Sequence, residues 1–300
     1  MSFGENIIGN RKIIEMLQKG YDAGKMSHAY LFEGPDHIGK MTVALDFCQL
    51  VLDENTKDIE KNPDLIILSP EEDKEKITID QIREFEKKIN FYPYLSKYKI
   101  AIIQKADMMT REASNAILKT LEEPSSTTIL ILLTSNSGNL LETIKSRCQI
   151  MKFLAVKKGL LENFLSATTE DKSERDRIIE MSGYKPGKIV ELINKQNGIK
   201  EISDVLDCLS EILGKNDFAR LNEADFVSKK ESKEIVSLLN YYSLYFRKQM
   251  LDQFDDKEGI DKNKILKIKT NIDLLDSTKN NILNININIK LALENLFLQI

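Results

Sequence analysis

The chain has 300 residues, a formal net charge of −4, 42% apolar and 30% charged residues, and no tryptophan. A chain of this length can bury the cores of two or three domains, and its balance of apolar and charged residues is that of an ordinary globular protein. The slightly negative charge excludes a protein that coats nucleic acid by bulk electrostatic attraction alone, although it leaves room for a local basic stripe.

The sequence also argues against a membrane protein and against a metal-stabilised one. No run approaches the roughly 18 apolar residues of a membrane span. The three cysteines, Cys48, Cys148 and Cys208, are far apart and lack the spacing of metal ligands. Sparse cysteines without a signal peptide fit a reducing compartment, so we expect a cytoplasmic protein that binds no metal. Cys148 is expected to be a small buried apolar side chain.

Residues 1–153 alternate apolar, strand-like runs with helical patterns, which is typical of a parallel sheet covered by helices. The predicted strands are, in chain order, His28–Phe32, Asp64–Leu68, Lys99–Ile103, Thr128–Thr134 and Gln149–Phe153. Helices are predicted from about Gly39 to Leu52, after Thr78, and between Thr110 and Pro124. Thr110 is a good N-cap and Pro124 cannot continue a helix, so the last of these helices has clear limits.

After the last strand the pattern becomes helical, first in a small unit of about residues 155–200 and then in long helices. Residues 280–290 look like low complexity, whereas residues 291–300 are strongly apolar and predict a buried helix. That helix belongs either to the core of the C-terminal domain or to an interface with another subunit, and both interpretations stay open. The apolar residues that suggest its burial are Leu291, Leu293, Leu296 and Phe297.

A glycine-containing loop, residues 34–40 (GPDHIGK), joins the first predicted strand to the helix that follows. This is the context of a phosphate-binding P-loop, in which glycines allow backbone N–H groups to approach phosphate oxygens. Lys40 would reach the β- and γ-phosphates, and the helix N-terminus would add positive potential. The alternative is a glycine-rich connection between strand and helix that binds nothing.

Two departures from the P-loop ATPase pattern concern the magnesium ion. The pattern ends in Ser or Thr, but this chain has Met41, whose thioether is a poor ligand for a hard cation, and Thr42 lies one residue too late. A working ATPase of this class also ends a later strand with Asp-Glu, where this chain has Gln104 and Lys105. Asp107 is predicted to serve the turn that follows. Both departures predict that the chain does not hydrolyse ATP.

Segments beyond the P-loop resemble known sequence motifs. Residues Asn115–Pro124 (NAILKTLEEP) resemble the NALLKTLEEP helix of bacterial clamp-loader subunits, and Thr143–Cys148 (TIKSRC) resembles their TIRSRC motif. The resemblance covers most of residues 7–153, and the combination of SRC and LKTLEEP is specific to clamp loaders among AAA+ proteins. Further similar segments are Ile8–Asn10, which looks like the border of the adenine pocket, His28–Gly34, Asn62–Leu65 and Ile79–Arg83.

The resemblance implies three domains and a set of partners. The domains are a RecA-like AAA+ α/β domain at residues 1–153, a small helical lid at 154–200 and an all-α collar for oligomerisation at 201–300. The implied partners are the gamma or tau motor subunits and the delta subunit in a hetero-pentameric ring, the sliding clamp, and primed DNA within the complex. Thr110 and Arg111, at the start of a helix, are the candidates for contact with the DNA backbone.

Within the family, the substitutions distinguish two types of subunit. Gamma and tau motor subunits keep an intact P-loop, an Asp-Glu pair and usually a four-cysteine zinc site, whereas delta-prime subunits often lose the ATPase residues and keep SRC. This chain keeps SRC and has only Cys48 in the region of the zinc cysteines, so it is similar to a delta-prime subunit, with a motor subunit as the alternative. We expect no required cofactor, no zinc, and weak or absent ATP or ADP binding at Gly34, Gly39, Lys40 and Thr42.

The resemblance also implies roles for two further residues. Arg147 of the SRC motif corresponds to an arginine finger, which would complete the ATP site of a neighbouring motor subunit in trans. The alternative for Arg147 is an arginine in a surface or intrachain ion pair. Lys188 resembles the sensor-2 position of the second domain, which is usually an arginine.

Overall fold

The computed structural model describes residues 3–5, 7–53, 59–71, 76–194, 198–255, 261–284 and 287–300. The chain divides into two compact units. The first comprises Met1–Thr168 with Tyr184–Lys188, and the second comprises Thr169–Gly183 with Ile189–Ile300. The three domains expected from the sequence stay a prediction.

The first unit is built on a parallel sheet whose central strands are runs of apolar, often β-branched residues. The strands are β1 (Ala29–Glu33), β2 (Leu65–Leu68), β3 (Lys99–Ile103), β4 (Thr128–Thr134) and β5 (Gln149–Lys152). They lie in the order β2-β3-β4-β1-β5, and every neighbouring pair is parallel. Strands β3 and β4 are buried throughout, as a sheet covered on both faces requires. The predicted α/β fold is confirmed, and each predicted strand is found with ends that agree to within one residue.

Helices cover both faces of this sheet. They are α1 (Arg11–Asp22), α2 (Lys40–Val51), α3 (Ile79–Ile89), α4 (Arg111–Glu122) and α5 (Glu142–Lys145). Successive strand residues point to opposite faces, so Phe32 lies in one core cluster with Phe47 of α2, while Leu31 lies in the other with Phe85 of α3. Burial of these two apolar layers is the main source of stability for the unit.

Two of these helices begin where the sequence predicts. Thr78 precedes α3 in a capping box, in which its backbone N–H donates to Gln81 Oε1 at 2.8 Å. Thr110 precedes α4, and its Oγ1 accepts the backbone N–H of Ala113 at 3.2 Å. Both caps satisfy backbone donors that the first helical turn leaves without an intrahelical partner.

A buried aspartate fixes the chain segment between α3 and β3. Asp64 is fully buried, and its carboxylate accepts the backbone N–H groups of Tyr94 at 2.5 Å, Leu95 at 2.7 Å and Ser96 at 2.8 Å. The side chain of Asn62 in turn accepts the backbone N–H of Asp64 at 2.8 Å. The Asn-Pro-Asp sequence before β2 therefore has a structural task. The anchored segment presents its large side chains to solvent, namely Phe91, Tyr92, Tyr94 and Leu95.

The chain after the sheet is helical, as predicted. Its described helices are α6 (Lys158–Leu165), α7 (Lys172–Met181), α8 (Pro186–Asn194), α9 (Gly198–Leu213), α10 (Asp217–Ser228), α11 (Ser232–Asp255), α12 (Lys262–Asn284) and α13 (Ile289–Gln299). Side chains of α9 to α13 form the core of the second unit, where the rings of Tyr242 and Phe297 meet edge-on with their centroids 6.1 Å apart. Within the described residues, no helix has both the length and the apolar character needed to cross a membrane.

The apolar C-terminal helix belongs to this core. Leu293, Leu296 and Phe297 are buried in it, which confirms the core interpretation for these three side chains. Leu291 lies on the opposite side of α13 and is 63% exposed, so it does not join this core, and the interface interpretation stays open for this side chain. Residues 285 and 286 of the low-complexity run lie outside the described residues.

Candidate functional site

Three strand ends meet at one edge of the sheet and surround a cavity of about 280 Å³. Strand β4 lies between β1 and β3, and all three are parallel, so the residues that follow them reach the same edge. The cavity is therefore located where doubly wound α/β proteins bind their ligands. It is lined by Asp36, His37, Gly39, Lys40, Met41, Thr42, Gln104, Lys105, Leu133, Thr134, Ser135 and Gly187.

The loop after β1 has glycines at positions where other residues would be strained. Gly34 packs so closely on the end of the sheet that a Cβ atom there would lie 2.6 Å from the carbonyl oxygen of Phe153. Gly39 precedes α2 with a φ of 99°, which glycine adopts at little cost, and His37 takes a φ of 61°. The two glycines that the sequence singles out are thus required by close approach at Gly34 and by backbone conformation at Gly39.

Lys40 is the buried cation of this loop. Its side chain is 9% exposed, and its Nζ donates hydrogen bonds to the carbonyl oxygens of Gly34 at 2.5 Å and Pro35 at 2.9 Å. Burial lowers the pKa of Lys40 below its ordinary value, against the opposing attraction of Asp36 and Asp107. An anion in the cavity would relieve this penalty, since it would add an attractive partner for the ammonium group.

The residues at the two positions where a P-loop ATPase binds magnesium contact each other in this chain. The amide Nε2 of Gln104 lies 3.5 Å from Met41 Sδ, to which it donates a hydrogen bond. Thr42 is exposed at the rim of the same cavity, and Lys105 follows Gln104 with a φ of 50°. Mg²⁺ demands oxygen ligands in a near-octahedral arrangement that this thioether and amide do not supply.

Asp107 has a different task from the one predicted. Its buried carboxylate accepts hydrogen bonds from Thr134 Oγ1 at 2.9 Å, from the backbone N–H of Ser135 at 3.2 Å and from Ser135 Oγ at 3.3 Å. Asp107 therefore ties the segment after β3 to the end of β4, rather than serving only its local turn. The sequence offers no signal for this contact, because the partners are 27 and 28 residues away.

The start of α8 packs against the phosphate loop. The backbone N–H of Gly187 donates to the carbonyl oxygen of His37 at 2.8 Å, and a Cβ atom at Gly187 would lie at the same distance from that oxygen. Glycine is thus required here by close backbone approach. The structure brings Gly39, Lys40 and Thr42 together in the cavity lining, while Gly34 contributes through its carbonyl oxygen. Lys188 follows Gly187 but is not among the lining residues.

The two motifs most specific to clamp loaders are joined by an ion pair. Arg147 belongs to SRC and Glu122 to LKTLEEP, and the distance from Arg147 Nη2 to Glu122 Oε1 is 2.8 Å. Arg147 Nη1 also donates a hydrogen bond to the carbonyl oxygen of Thr143 at 3.0 Å. The Arg147 side chain is 35% exposed and that of Glu122 is 50% exposed. The arginine is therefore held at the surface by groups of its own chain, and it is not part of the cavity at the strand ends.

Two of the three cysteines, Cys48 and Cys148, are in apolar surroundings. Cys48 is fully buried in the core beneath α2, and burial raises the pKa of its thiol. Cys148, predicted to be buried, is only partly buried and packs against the second core cluster, where desolvation raises the pKa of its thiol to about 12. Among the described residues, no group of three or more His, Cys, Asp or Glu side chains is placed to hold a metal ion.

Fold and site together define a class of protein. A five-stranded parallel sheet with β1 between β4 and β5, a phosphate loop after β1, and helical regions after the sheet are the features of the AAA+ α/β fold. A DNA polymerase III gamma subunit-related protein from Thermotoga maritima has the same fold, with a TM-score of 0.50 and 23% identity over 94% of this chain and 97% of that one.

Sequence comparison places the chain within this class. Residues 9–157 match the family model described as "DNA polymerase III, delta subunit". DNA polymerase III subunit delta' of Bacillus subtilis is 35% identical over 51% of this chain, which spans 50% of that protein. DNA polymerase III subunit gamma of Buchnera aphidicola (from Acyrthosiphon pisum) is 28% identical over 79% of this chain and 71% of its own length. Through residues 9–157, the chain belongs to the clamp-loader family of DNA polymerase III subunits.

Proposed function

We propose that the chain is a non-hydrolysing subunit of the delta-prime type, which helps a DNA polymerase III clamp loader to place the sliding clamp on primed DNA in the cytoplasm. In this proposal it occupies one position of a hetero-pentameric ring with gamma or tau and delta subunits. It requires no cofactor of its own, its helices after residue 200 form the collar, and Arg147 acts as an arginine finger in the ATP site of a neighbouring motor subunit.

The observation that carries the proposal is the contact between Met41 and Gln104. A P-loop ATPase holds Mg²⁺ with a loop hydroxyl and a carboxylate at a strand end, and it polarises water with a second acid. In this chain the first two positions hold a thioether and an amide 3.5 Å apart, and the next position is Lys105. The chain therefore lacks both the ligands that hold Mg²⁺ and the acid that polarises water, and it does not hydrolyse ATP in its own site.

The ion pair of Arg147 is compatible with action on a neighbour. An ion pair between partly exposed side chains contributes at most about 1 kcal/mol, so exchanging Glu122 for a phosphate on another subunit costs little. A guanidinium group is always charged and binds carboxylate and phosphate oxygens in the same forked geometry. Glu122 therefore holds the arginine in a defined place without preventing its transfer.

A motor subunit of the gamma or tau type is the second candidate. The observation that favours it is the length of some alignments. Gamma of Buchnera aphidicola and tau of Bacillus subtilis align over 79% and 82% of this chain, whereas the delta-prime relatives align over 41–51% and two further tau or tau/gamma relatives over 48%. The motor interpretation requires that a nucleotide be hydrolysed without the loop hydroxyl or the Asp-Glu pair.

ATP hydrolysis, measured first on the purified chain and then on a ring reconstituted with motor and delta subunits of the same organism, separates the two candidates. We expect no hydrolysis by the isolated chain. In the ring, Arg147→Ala is expected to abolish hydrolysis at the one site that it completes, where an arginine finger contributes a factor of about 10³ or more, and to slow clamp loading accordingly.

Two variants control for the ion pair and for surface charge. Glu122→Ala frees Arg147 without removing it and is expected to leave hydrolysis by the ring intact. Arg83→Ala removes another exposed arginine, which pairs with Asp80 at 3.5 Å, and is expected to have no effect. Hydrolysis by the isolated chain that disappears with Lys40→Ala would establish the motor interpretation. Equal activity of rings with Arg147→Ala and Arg83→Ala would refute the role in trans.

A further inference from the structure

Two of the three substitutions at the magnesium position, Gln104 and Lys105, make the charge of the cavity more positive, and the third, Met41, leaves it unchanged. In an active site of this class, Asp-Glu contributes two negative charges and Mg²⁺ contributes two positive charges, which cancel. In this chain the corresponding strand end contributes a neutral amide at Gln104 and one positive charge at Lys105. The cavity thus keeps its attraction for phosphate when the metal and both acids are removed.

We infer that this cavity binds the phosphates of a nucleoside di- or triphosphate without a divalent cation, with the Lys105 ammonium in the electrostatic place of the metal. The inference rests on the proposed function, because it takes the P-loop as a binding site that has lost hydrolysis. It goes beyond that proposal in giving the site a ligand and a charge mechanism.

The placement of the two lysines supports this inference. Lys40 and Lys105 line the same cavity from two different strand ends, one after β1 and the other after β3. Lys105 is exposed and, among the described residues, no carboxylate forms an ion pair with its ammonium group. With no competing carboxylate among the described residues, this exposed ammonium group is available to an incoming phosphate.

The backbone at Lys105 points to the same conclusion. Its φ of 50° places a lysine in the left-handed region, which non-glycine residues rarely adopt. Two backbone hydrogen bonds fix the turn. The N–H of Gln104 donates to the carbonyl oxygen of Leu68 at 2.8 Å, and the N–H of Met108 donates to the carbonyl oxygen of Lys105 at 2.8 Å. These bonds hold the lysine at the cavity rim.

The contact between Met41 and Gln104 excludes the metal from its usual place. Mg²⁺ binds oxygen ligands at about 2.0–2.1 Å and keeps several waters, so it needs open space between the loop and the strand end. Here the two side chains meet at 3.5 Å and occupy that space. Magnesium in solution binds the nucleotide and neutralises its charge, and it thereby competes with Lys105 for the same phosphate oxygens.

The test is isothermal titration of the full-length chain with ADP, in EDTA and in excess MgCl₂. We expect binding in EDTA that is as tight as in MgCl₂ or tighter. Lys105→Ala is expected to weaken binding in EDTA by up to about fivefold, the loss of one ion pair made by an exposed lysine. Lys97→Ala is the matched control, since it removes an exposed lysine at the other end of β3, and it is expected to leave binding unchanged.

A variant that reverses all three substitutions gives a second test, in which a new dependence on magnesium is expected rather than a loss of binding. The triple variant Met41→Thr, Gln104→Asp and Lys105→Glu restores the ligand types that magnesium prefers, and its ADP binding is expected to require MgCl₂. The inference is overturned by wild-type binding that requires MgCl₂, by the absence of ADP binding in both buffers, or by equal effects of Lys105→Ala and Lys97→Ala. None of these results tests the role of Arg147. The proposed function is tested separately, by ATP hydrolysis in the reconstituted ring.

Discussion

The anchor formed by Asp64 allows a quantitative prediction about stability. Asp64→Asn keeps the shape of the side chain, but it removes the negative charge and turns one of the two acceptor atoms into a donor. In the wild type, Oδ1 accepts one backbone N–H and Oδ2 accepts two. If the asparagine oxygen takes the Oδ2 position, it still accepts two hydrogen bonds, which are weaker because the oxygen is uncharged. Its NH₂ group then faces the N–H of Tyr94, and two donors cannot form a hydrogen bond.

The magnitude follows from this count of hydrogen bonds. A hydrogen bond to a charged group contributes about 1.5–3 kcal/mol and a neutral one about 0.5–1.5 kcal/mol, so two weakened bonds and one lost bond come to about 4 kcal/mol. Asparagine is uncharged, so its burial costs less desolvation energy than that of the carboxylate, which offsets part of this sum. We expect the free energy of unfolding to fall by about 3 kcal/mol. For a unit of this size, that loss lowers the melting temperature by about 6–10 °C.

The loss is expected to depend on pH. Burial alone would raise the pKa of Asp64, but the hydrogen bonds from Tyr94, Leu95 and Ser96, helped by Lys99, outweigh it and hold the pKa below its ordinary value. A carboxyl group with a depressed pKa stabilises the fold above its unfolded pKa of about 3.9, and this contribution is lost as the pH falls through the folded pKa. The wild type and Asp64→Asn should therefore differ at pH 7 and converge in acid.

Thermal unfolding followed by circular dichroism at a series of pH values measures both effects. Asp22→Asn is the control, because Asp22 is exposed at the end of α1, and it is expected to change stability by less than about 0.5 kcal/mol. A change below about 1 kcal/mol for Asp64→Asn at pH 7, or a difference that does not shrink in acid, would show that the carboxylate does not anchor the segment.

Two further predictions concern the phosphate loop and the helical core. Gly34→Ala places a Cβ atom 2.6 Å from the carbonyl oxygen of Phe153, so we expect a shifted loop, a melting temperature lowered by several degrees and weaker ADP binding in the titration. Phe297→Ala removes a buried ring that meets Tyr242 and should cost about 3–5 kcal/mol in urea unfolding, whereas Leu291→Ala on the exposed side of α13 should cost less than about 0.5 kcal/mol.

Local sequence patterns predict the sheet well because its strands are short apolar runs between polar or glycine-containing loops. The run Thr128–Thr134 is buried along its whole length, and such a strand has the same signature wherever it lies in a parallel sheet. Helix starts at Thr78 and Thr110 are predicted for the same reason, since a capping side chain bonds within its own first turn. Information of this kind is contained in a few neighbouring residues.

The contacts that organise the site are long-range, and the sequence does not contain them in any local pattern. Asp107 bonds to a strand end 27 residues later, and Gln104 meets Met41 across 63 residues of chain. Glu122 and Arg147 belong to two motifs that family resemblance finds separately, but only the fold shows that they pair. The side of α13 that faces the core is not specified either, because apolar composition alone does not distinguish Leu291 from the buried side chains of the same helix.

The site separates into a part fixed by the fold and a part that is free to move. Gly34 is pressed against the end of the sheet, and Lys40 is bonded to carbonyl oxygens of its own loop, so neither depends on a ligand for its position. Arg147 and Lys105 are at the surface, where breaking an ion pair costs about 1 kcal/mol or less. Because the fixed part is held by the core, the metal ligands can be replaced without loss of the fold. The positive charges that remain movable are then the groups able to act on a phosphate, either in this cavity or on a neighbouring subunit.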